Sequence, residues 1–160
     1  MTRAQRVRSY APTRAALARH EAGHALAAVA FEIPVRAVRI DVNAWADGRY
    51  CRGVTVHLKP VNPRVGATVK FAGPLAEGSF LGAAGDLLAI AESNRAWIGD
   101  CSPGSPRAIA RALLATYRTD LDRLAAALLV AGELGPADLQ NIVHDVLGVL
   151  GRAKLVGVED

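Results

Sequence analysis

Cysteine is scarce in this sequence of 160 residues, which contains only Cys51 and Cys101. Two cysteines are too few for a disulfide scaffold, and their separation matches no zinc-finger spacing. A chain with so few cysteines is typical of a reducing compartment. We therefore expect a cytoplasmic protein.

Aromatic residues are also few, at 5% of the chain, and none is interleaved with a run of basic residues. Such interleaving is typical of surfaces that bind single-stranded nucleic acid. The net charge is nevertheless +4, and five arginines precede the first acidic residue, Glu21. This start fits a nucleic-acid arm, a transit segment or a solvated tail. We favour the solvated tail. No motif supports nucleic-acid binding, and a transit segment would have almost no length before the motif that begins at residue 20.

Long apolar runs are absent as well. The longest cover residues 25–31 and 124–131, far below the roughly 18 residues that span a bilayer, so we expect a soluble chain with no membrane span. A hydrophobic content of 51% with 21% charged residues excludes an intrinsically disordered chain. The length fits one domain. We expect a loose, Arg-rich arm over 1–11, one domain over 12–150 and a tail over 151–160.

The pattern of apolar, turn and capping residues predicts a mainly α fold with a small antiparallel β-sheet. The strand over 53–58 alternates Val54 and Val56 with Thr55 and His57, which is typical of a half-covered hairpin. The predicted helices cover 13–31, 63–81 with a kink at Pro74, 86–98, 106–131 and about 136–150, and the predicted strands cover 35–42 and 53–58.

The first predicted helix contains an H-E-x-x-H motif, formed by His20, Glu21 and His24. Residues four apart lie one above the other on a helix, so both imidazoles can reach one metal ion. Zinc accepts histidine nitrogens, and its catalytic sites use three protein ligands and leave one position to water. Glu21 lies about 100° around the helix axis from His20, which suits a general base beside the metal. The alternative is a pair of solvent-facing histidines.

Residues 20–26 read H-E-A-G-H-A-L, and this motif resembles the peptidase domain of FtsH-type ATP-dependent zinc metalloproteases. The Gly-Val-Thr segment over 53–55 is similar to the family's strand after the active-site helix. The segment A-G-P-L-A-E over 72–77 resembles the family's G-G-R-x-A-E, with Pro74 in place of arginine, and residues 128–139 resemble its closing helix pair. The similarity covers about residues 17–145. It implies a single zincin-like helical domain with an H-E-x-x-H active-site helix.

The resemblance also implies a third zinc ligand, which in the family is an aspartate at the start of a helix. Residues 82–87, G-A-A-G-D-L, are the best counterpart and make Asp86 the candidate. The loop before it is several residues shorter than in the family, so Glu92, Asp100 and Cys101 remain alternatives. An acid at this position is also ordinary at a helix N-terminus.

Three residues on the first two long helices are candidates for supporting roles. Glu77 either orients a ligating imidazole through a hydrogen bond or is an exposed helix acid. Gly23 and Gly73 either permit a close helix crossing near the metal or are merely tolerated.

The resemblance implies a zinc metalloendopeptidase in which Glu21 takes a proton from water and delivers it to the leaving amine. The family joins this domain to an ATPase motor, yet the sequence contains no G-x-x-x-x-G-K-[ST] phosphate loop. We therefore expect hydrolysis of flexible or unfolded polypeptide segments by the chain alone, as a homo-oligomer or with a partner protein. We further hypothesise that the substrate adds as a strand to the edge of the sheet.

Two alternatives stand beside the peptidase. The first is a catalytically idle zinc-binding module that regulates or binds a partner. The second is a nucleic-acid-binding protein in which the H-E-x-x-H motif is accidental, which would show steeply salt-dependent affinity and no metal.

Overall fold

The computed structural model describes residues 12–41, 53–80 and 83–146. The predicted arm and tail lie outside these ranges, as do Cys51 and residues 147–150 at the end of the last predicted helix. The helices are α1 (Arg14–Ala30), α2 (Pro63–Glu77), α3 (Ala84–Asn94), α4 (Pro106–Thr116), α5 (Arg118–Ala131) and α6 (Pro136–Ile142). The strands are β1 (Val35–Arg39), β2 (Val54–His57) and β3 (Glu133–Leu134), and Arg95–Ile98 forms a short 3-10 helix. A mainly helical fold with a small antiparallel sheet is thereby confirmed.

Helix α1 is the centre of the fold. Its N-cap is Thr13, whose hydroxyl accepts a hydrogen bond from the Ala16 amide, as is usual at this position. Most of its residues from Leu17 to Ala28 are buried, and it packs against both α2 and α5. The polar side chains His20, Glu21 and His24 in this stretch are therefore enclosed by the neighbouring elements.

Helix α2 crosses α1 at very short range, which determines the position of the site. It begins with Asn62 as N-cap and Pro63 in the first turn, and it ends at Gly78 in the left-handed conformation. A β-carbon added to Gly23 on α1 would lie 2.6 Å from the Ala76 β-carbon. The two backbones approach this closely because Gly23 has no side chain. Pro74 is accommodated within the helix.

The sheet has the strand order β2-β1-β3, with both pairings antiparallel. Opposite Val38 lie Thr55 on one side and Leu134 on the other. The covered face of β2 is not its apolar one: the Val54 and Val56 side chains are exposed, whereas the Thr55 hydroxyl lies against α1. The polar face of this strand is therefore the one that faces α1, where the Thr55 hydroxyl donates a hydrogen bond to Glu21.

The structure differs from the sequence prediction at three elements: the boundaries of two helices were wrong, and strand β3 was not predicted. The helix predicted over 106–131 is two helices: α4 packs on α2 and ends at its C-cap Tyr117, and α5 packs on α1. Strand β3 is only two residues long, too short to produce a detectable alternation. The helix predicted over 86–98 begins at Ala84 and ends at Asn94, which caps the 3-10 helix with its side chain. Within the described ranges, no helix is both long and apolar enough to cross a membrane.

Candidate metal centre

The H-E-x-x-H motif lies within α1, as predicted, and its three functional side chains are buried. The exposed fractions of His20, Glu21 and His24 are 8%, 5% and 5%. The interpretation as a solvent-facing pair of histidines is therefore wrong. Buried polar groups need partners, so the contacts of these side chains indicate whether they can hold a metal ion.

Three ligand atoms from α1 and α3 converge on one point. His20 Nε2 and His24 Nε2 lie 3.0 Å apart, and Asp86 Oδ2 lies 3.1 Å from the first and 3.3 Å from the second. A tetrahedral ion with bonds of about 2.0 Å separates its ligand atoms by about 3.3 Å. The triangle formed by these atoms has nearly this size. Within the described part of the chain, this is the one cluster of His, Cys, Asp and Glu that could hold a metal ion.

The other nitrogen of each ring is occupied by an acceptor. His20 Nδ1 lies 2.9 Å from Glu77 Oε2, and His24 Nδ1 lies 2.7 Å from the Val69 carbonyl oxygen. A carboxylate and a carbonyl can only accept, so each Nδ1 carries the hydrogen, and in the neutral rings both Nε2 lone pairs face the cluster. Two such lone pairs 3.0 Å apart repel each other unless a proton or a metal ion lies between them. The donor set therefore fits a metal ion.

The charges around the cluster also favour a cation. Burial alone lowers the pKa of His20, but hydrogen bonds to Asp86 and Glu77 and the charge of Glu21 outweigh it and raise that pKa above its usual value. For Asp86 the effect of burial is the opposite, since burial raises the pKa of a carboxyl group. Its contacts with His20, His24 and Lys70 outweigh this effect and hold the pKa of Asp86 well below its usual range. The carboxylates of Asp86, Glu77 and Glu21 lie in or beside the cluster, and Lys70 brings one ammonium group to it. Two negative charges are therefore in excess when the histidines are neutral. A divalent ion would neutralise that excess.

Gly73 on α2 provides the space for the cluster. A β-carbon at this position would lie 2.8 Å from His20 Nε2 and even closer to His24 Nε2. Real β-carbons do not approach other heavy atoms this closely, so only glycine leaves both ring nitrogens where they are. Of the two interpretations of this glycine, the structure favours close approach over mere tolerance.

Glu21 lies outside the set of three ligand atoms and is held by β2. Its Oε2 accepts a hydrogen bond of 2.8 Å from the Thr55 hydroxyl, which also lies 3.1 Å from the Glu21 carbonyl oxygen. A β-carbon on Gly53 would lie 2.7 Å from Glu21 Cδ. The carboxylate is therefore in contact with the backbone of this segment. Gly53 and Thr55 thus fix the position of the Glu21 carboxylate, which follows His20 directly in the sequence.

The structure brings together the candidates His20, His24, Asp86 and Glu77. Glu77 is buried against His20 rather than exposed. The three alternative ligands lie outside the cluster: Glu92 is exposed on α3, Asp100 accepts hydrogen bonds from Ser102, which lower its pKa, and Cys101 is exposed.

Two further residues of the site were missed by sequence reasoning. The Lys70 ammonium lies 3.2 Å from Asp86 Oδ1, and Thr55 binds Glu21. The only available signal for Thr55 was its polar position in a half-covered strand, and for Lys70 its position three residues before Gly73. Neither pattern indicates a contact with a residue on another element.

In comparisons with known proteins, the chain matches no protein-family model and is not significantly similar to any curated protein. Its assignment therefore depends on the geometry of the site.

Proposed function

We propose that the chain is a zinc-dependent metallopeptidase that hydrolyses peptide bonds in flexible or unfolded polypeptide segments. The observation that carries this proposal is that α1 provides both two metal ligands and a separate carboxylate beside them. His20 and His24 join Asp86 in a three-ligand cluster, while Glu21 is buried beside it with its carboxylate held outside that set. In this proposal the domain is zincin-like and α1 is its active-site helix, as in the FtsH-type peptidases that the motif resembles.

The donor set supports zinc. Two imidazoles and one carboxylate are a common ligand set for catalytic zinc, and such sites keep a further position for water. His20 and His24 would hold the ion through Nε2 and Asp86 through Oδ2. A zinc ion bound there would supply Lewis-acid chemistry, since it lowers the pKa of a coordinated water molecule and polarises a carbonyl group.

Glu21 is the general base in this mechanism. Thr55 donates a hydrogen bond to its Oε2, so Oε1, which lies against Gly53, is the oxygen that would receive the proton of the attacking water. The same carboxyl group then delivers that proton to the leaving amine. Burial beside the ligand cluster keeps this exchange away from bulk water. Glu77 and the Val69 carbonyl hold the two imidazoles in the orientation that presents Nε2.

The position of Glu21 also favours an enzyme over a catalytically idle zinc module. Structural zinc sites usually use four protein ligands, and within the described residues three side chains converge here. A purely structural site has no use for a carboxylate held next to the ion without binding it.

The sheet offers a place for the substrate. Strand β2 pairs with β1 on one side in the strand order of the described sheet, and it is the strand that contacts Glu21. A polypeptide that adds to its other edge through main-chain hydrogen bonds would lie near the base. Such a substrate must be extended, which is why flexible or unfolded segments are the proposed substrates.

Metal removal and restoration test the proposal. Zinc-loaded protein is expected to cleave fluorescently labelled casein, a largely unfolded substrate, and to lose that activity on treatment with a chelator. Addition of one equivalent of zinc should restore it. A tightly folded protein of similar size serves as the control and should remain intact. Casein that stays uncleaved by protein carrying one zinc ion per chain would contradict peptidase activity and favour the idle module.

A further inference from the structure

Lys70 contacts the candidate ligand Asp86 on the side away from the histidines. It lies on α2, next to Val69, whose carbonyl oxygen binds His24. Its ammonium nitrogen is 3.2 Å from Asp86 Oδ1, whereas Asp86 Oδ2 is the oxygen that faces both imidazoles. The two oxygens of one carboxylate thus have separate partners. This division is not needed to hold a metal ion.

A carboxylate ligand can bind a metal ion through one oxygen or through both. Binding through both would add a ligand atom where a hydrolytic site needs room for water. An ammonium group bonded to Oδ1 competes directly with this second contact. We propose that Lys70 is a positioning residue that restricts Asp86 to coordination through Oδ2 and thereby keeps a position open for water. This inference rests on the proposed function, since it assigns Lys70 a role at the same metal site.

The charge of Lys70 distinguishes this role from a contribution to metal affinity. A positive charge next to a ligand repels the incoming cation and offsets part of the negative charge that attracts it. Lys70 therefore weakens metal binding while it preserves the geometry for turnover. Its side chain is 39% exposed, so its loss should not disrupt the core, and the two effects can be measured separately.

The experiment compares Lys70→Met with Lys70→Arg in the full chain. Lys70→Met removes the charge and keeps a side chain of similar length, so we expect the dissociation constant for zinc to fall about threefold or more. With Asp86 bound through both oxygens, casein hydrolysis should fall about tenfold or more. The visible absorption of the cobalt-substituted variant should weaken, because the coordination number rises. Lys70→Arg should restore the cobalt spectrum and most of the hydrolysis.

Lys59→Met is the matched control, because Lys59 is an exposed lysine outside the cluster. It should leave zinc affinity, cobalt absorption and hydrolysis unchanged. Thermal unfolding of the metal-free variants checks that each is folded.

Three results would overturn the inference. An unchanged cobalt spectrum in Lys70→Met, even with reduced hydrolysis, would show that Lys70 acts on something other than coordination. Weaker zinc binding in Lys70→Met would show that it merely supports the site. Suppose that the wild-type protein cleaves no casein, but Lys70→Met changes the zinc affinity and the cobalt spectrum as expected. The role of Lys70 then stands and the peptidase proposal fails. Failure of the wild-type chain to bind zinc or cobalt would overturn both.

Discussion

Replacement of Glu21 by glutamine is expected to reduce casein hydrolysis by about 100- to 10,000-fold, the usual contribution of a general acid-base residue. Glutamine has nearly the same shape, and its amide oxygen can still accept the Thr55 hydrogen bond that now holds Glu21 Oε2. It cannot accept a proton from water and return it. Because Glu21 lies outside the ligand cluster, Glu21→Gln should keep one zinc ion per chain.

The matched control for this variant is Glu92→Gln, on the exposed surface of α3. It should retain both zinc and activity, and it also tests Glu92 as an alternative ligand. Zinc content and initial rates of casein cleavage, measured on the same preparations, separate the two functions. A Glu21→Gln protein that still cleaves at the wild-type rate would show that the base is another group. Loss of zinc from this variant would show that Glu21 belongs to the ligand set.

Substitution of Gly73 by alanine is expected to weaken zinc binding by about 10- to 100-fold while the chain stays folded. The added methyl group would lie 2.8 Å from His20 Nε2 and closer to His24 Nε2. These atoms are the ends of side chains, so the rings can rotate away without a change of backbone. That rotation breaks the hydrogen bonds to Glu77 and to Val69 and separates the ligand atoms. Alanine also favours a helix over glycine by roughly 0.5–1 kcal/mol.

Gly66→Ala, on the same helix, is the control for the change in helix propensity. A β-carbon there would meet Pro60 at 3.8 Å, an ordinary contact, so this variant should bind zinc normally. Titration calorimetry with zinc and thermal unfolding of the metal-free proteins measure affinity and folding independently. Normal zinc affinity in Gly73→Ala would mean that the metal ion does not bind between these two imidazoles.

The helical part of the fold could be predicted because its signals are local. Thr13, Asn62 and Ser105 cap α1, α2 and α4 as their side-chain chemistry predicts. The break at Tyr117 could not be predicted from local sequence, because it follows from packing of α4 and α5 on different partner helices. The orientation of β2 was also hidden, since its alternation shows which residues share a face but not which face is covered.

The site likewise combines residues with a local sequence signal and residues that only packing between distant elements brings together. His20, Glu21 and His24 lie within one turn and a half of a single helix, so their spacing alone indicates a metal site. Asp86 is brought to them because α3 packs on α2, which packs on α1, and only a family resemblance singled it out. No local pattern indicated the contacts of Lys70 and Thr55, because both depend on how α2 and β2 pack around α1.

The proposed function requires that His20, His24 and Asp86 together hold one metal ion. Anomalous diffraction at the zinc absorption edge, from crystals grown with zinc, tests it most directly. We expect one strong peak per chain at about 2.0 Å from the Nε2 atoms of both histidines and from Asp86 Oδ2. A map without a peak between the two imidazoles, at saturating zinc, would contradict it.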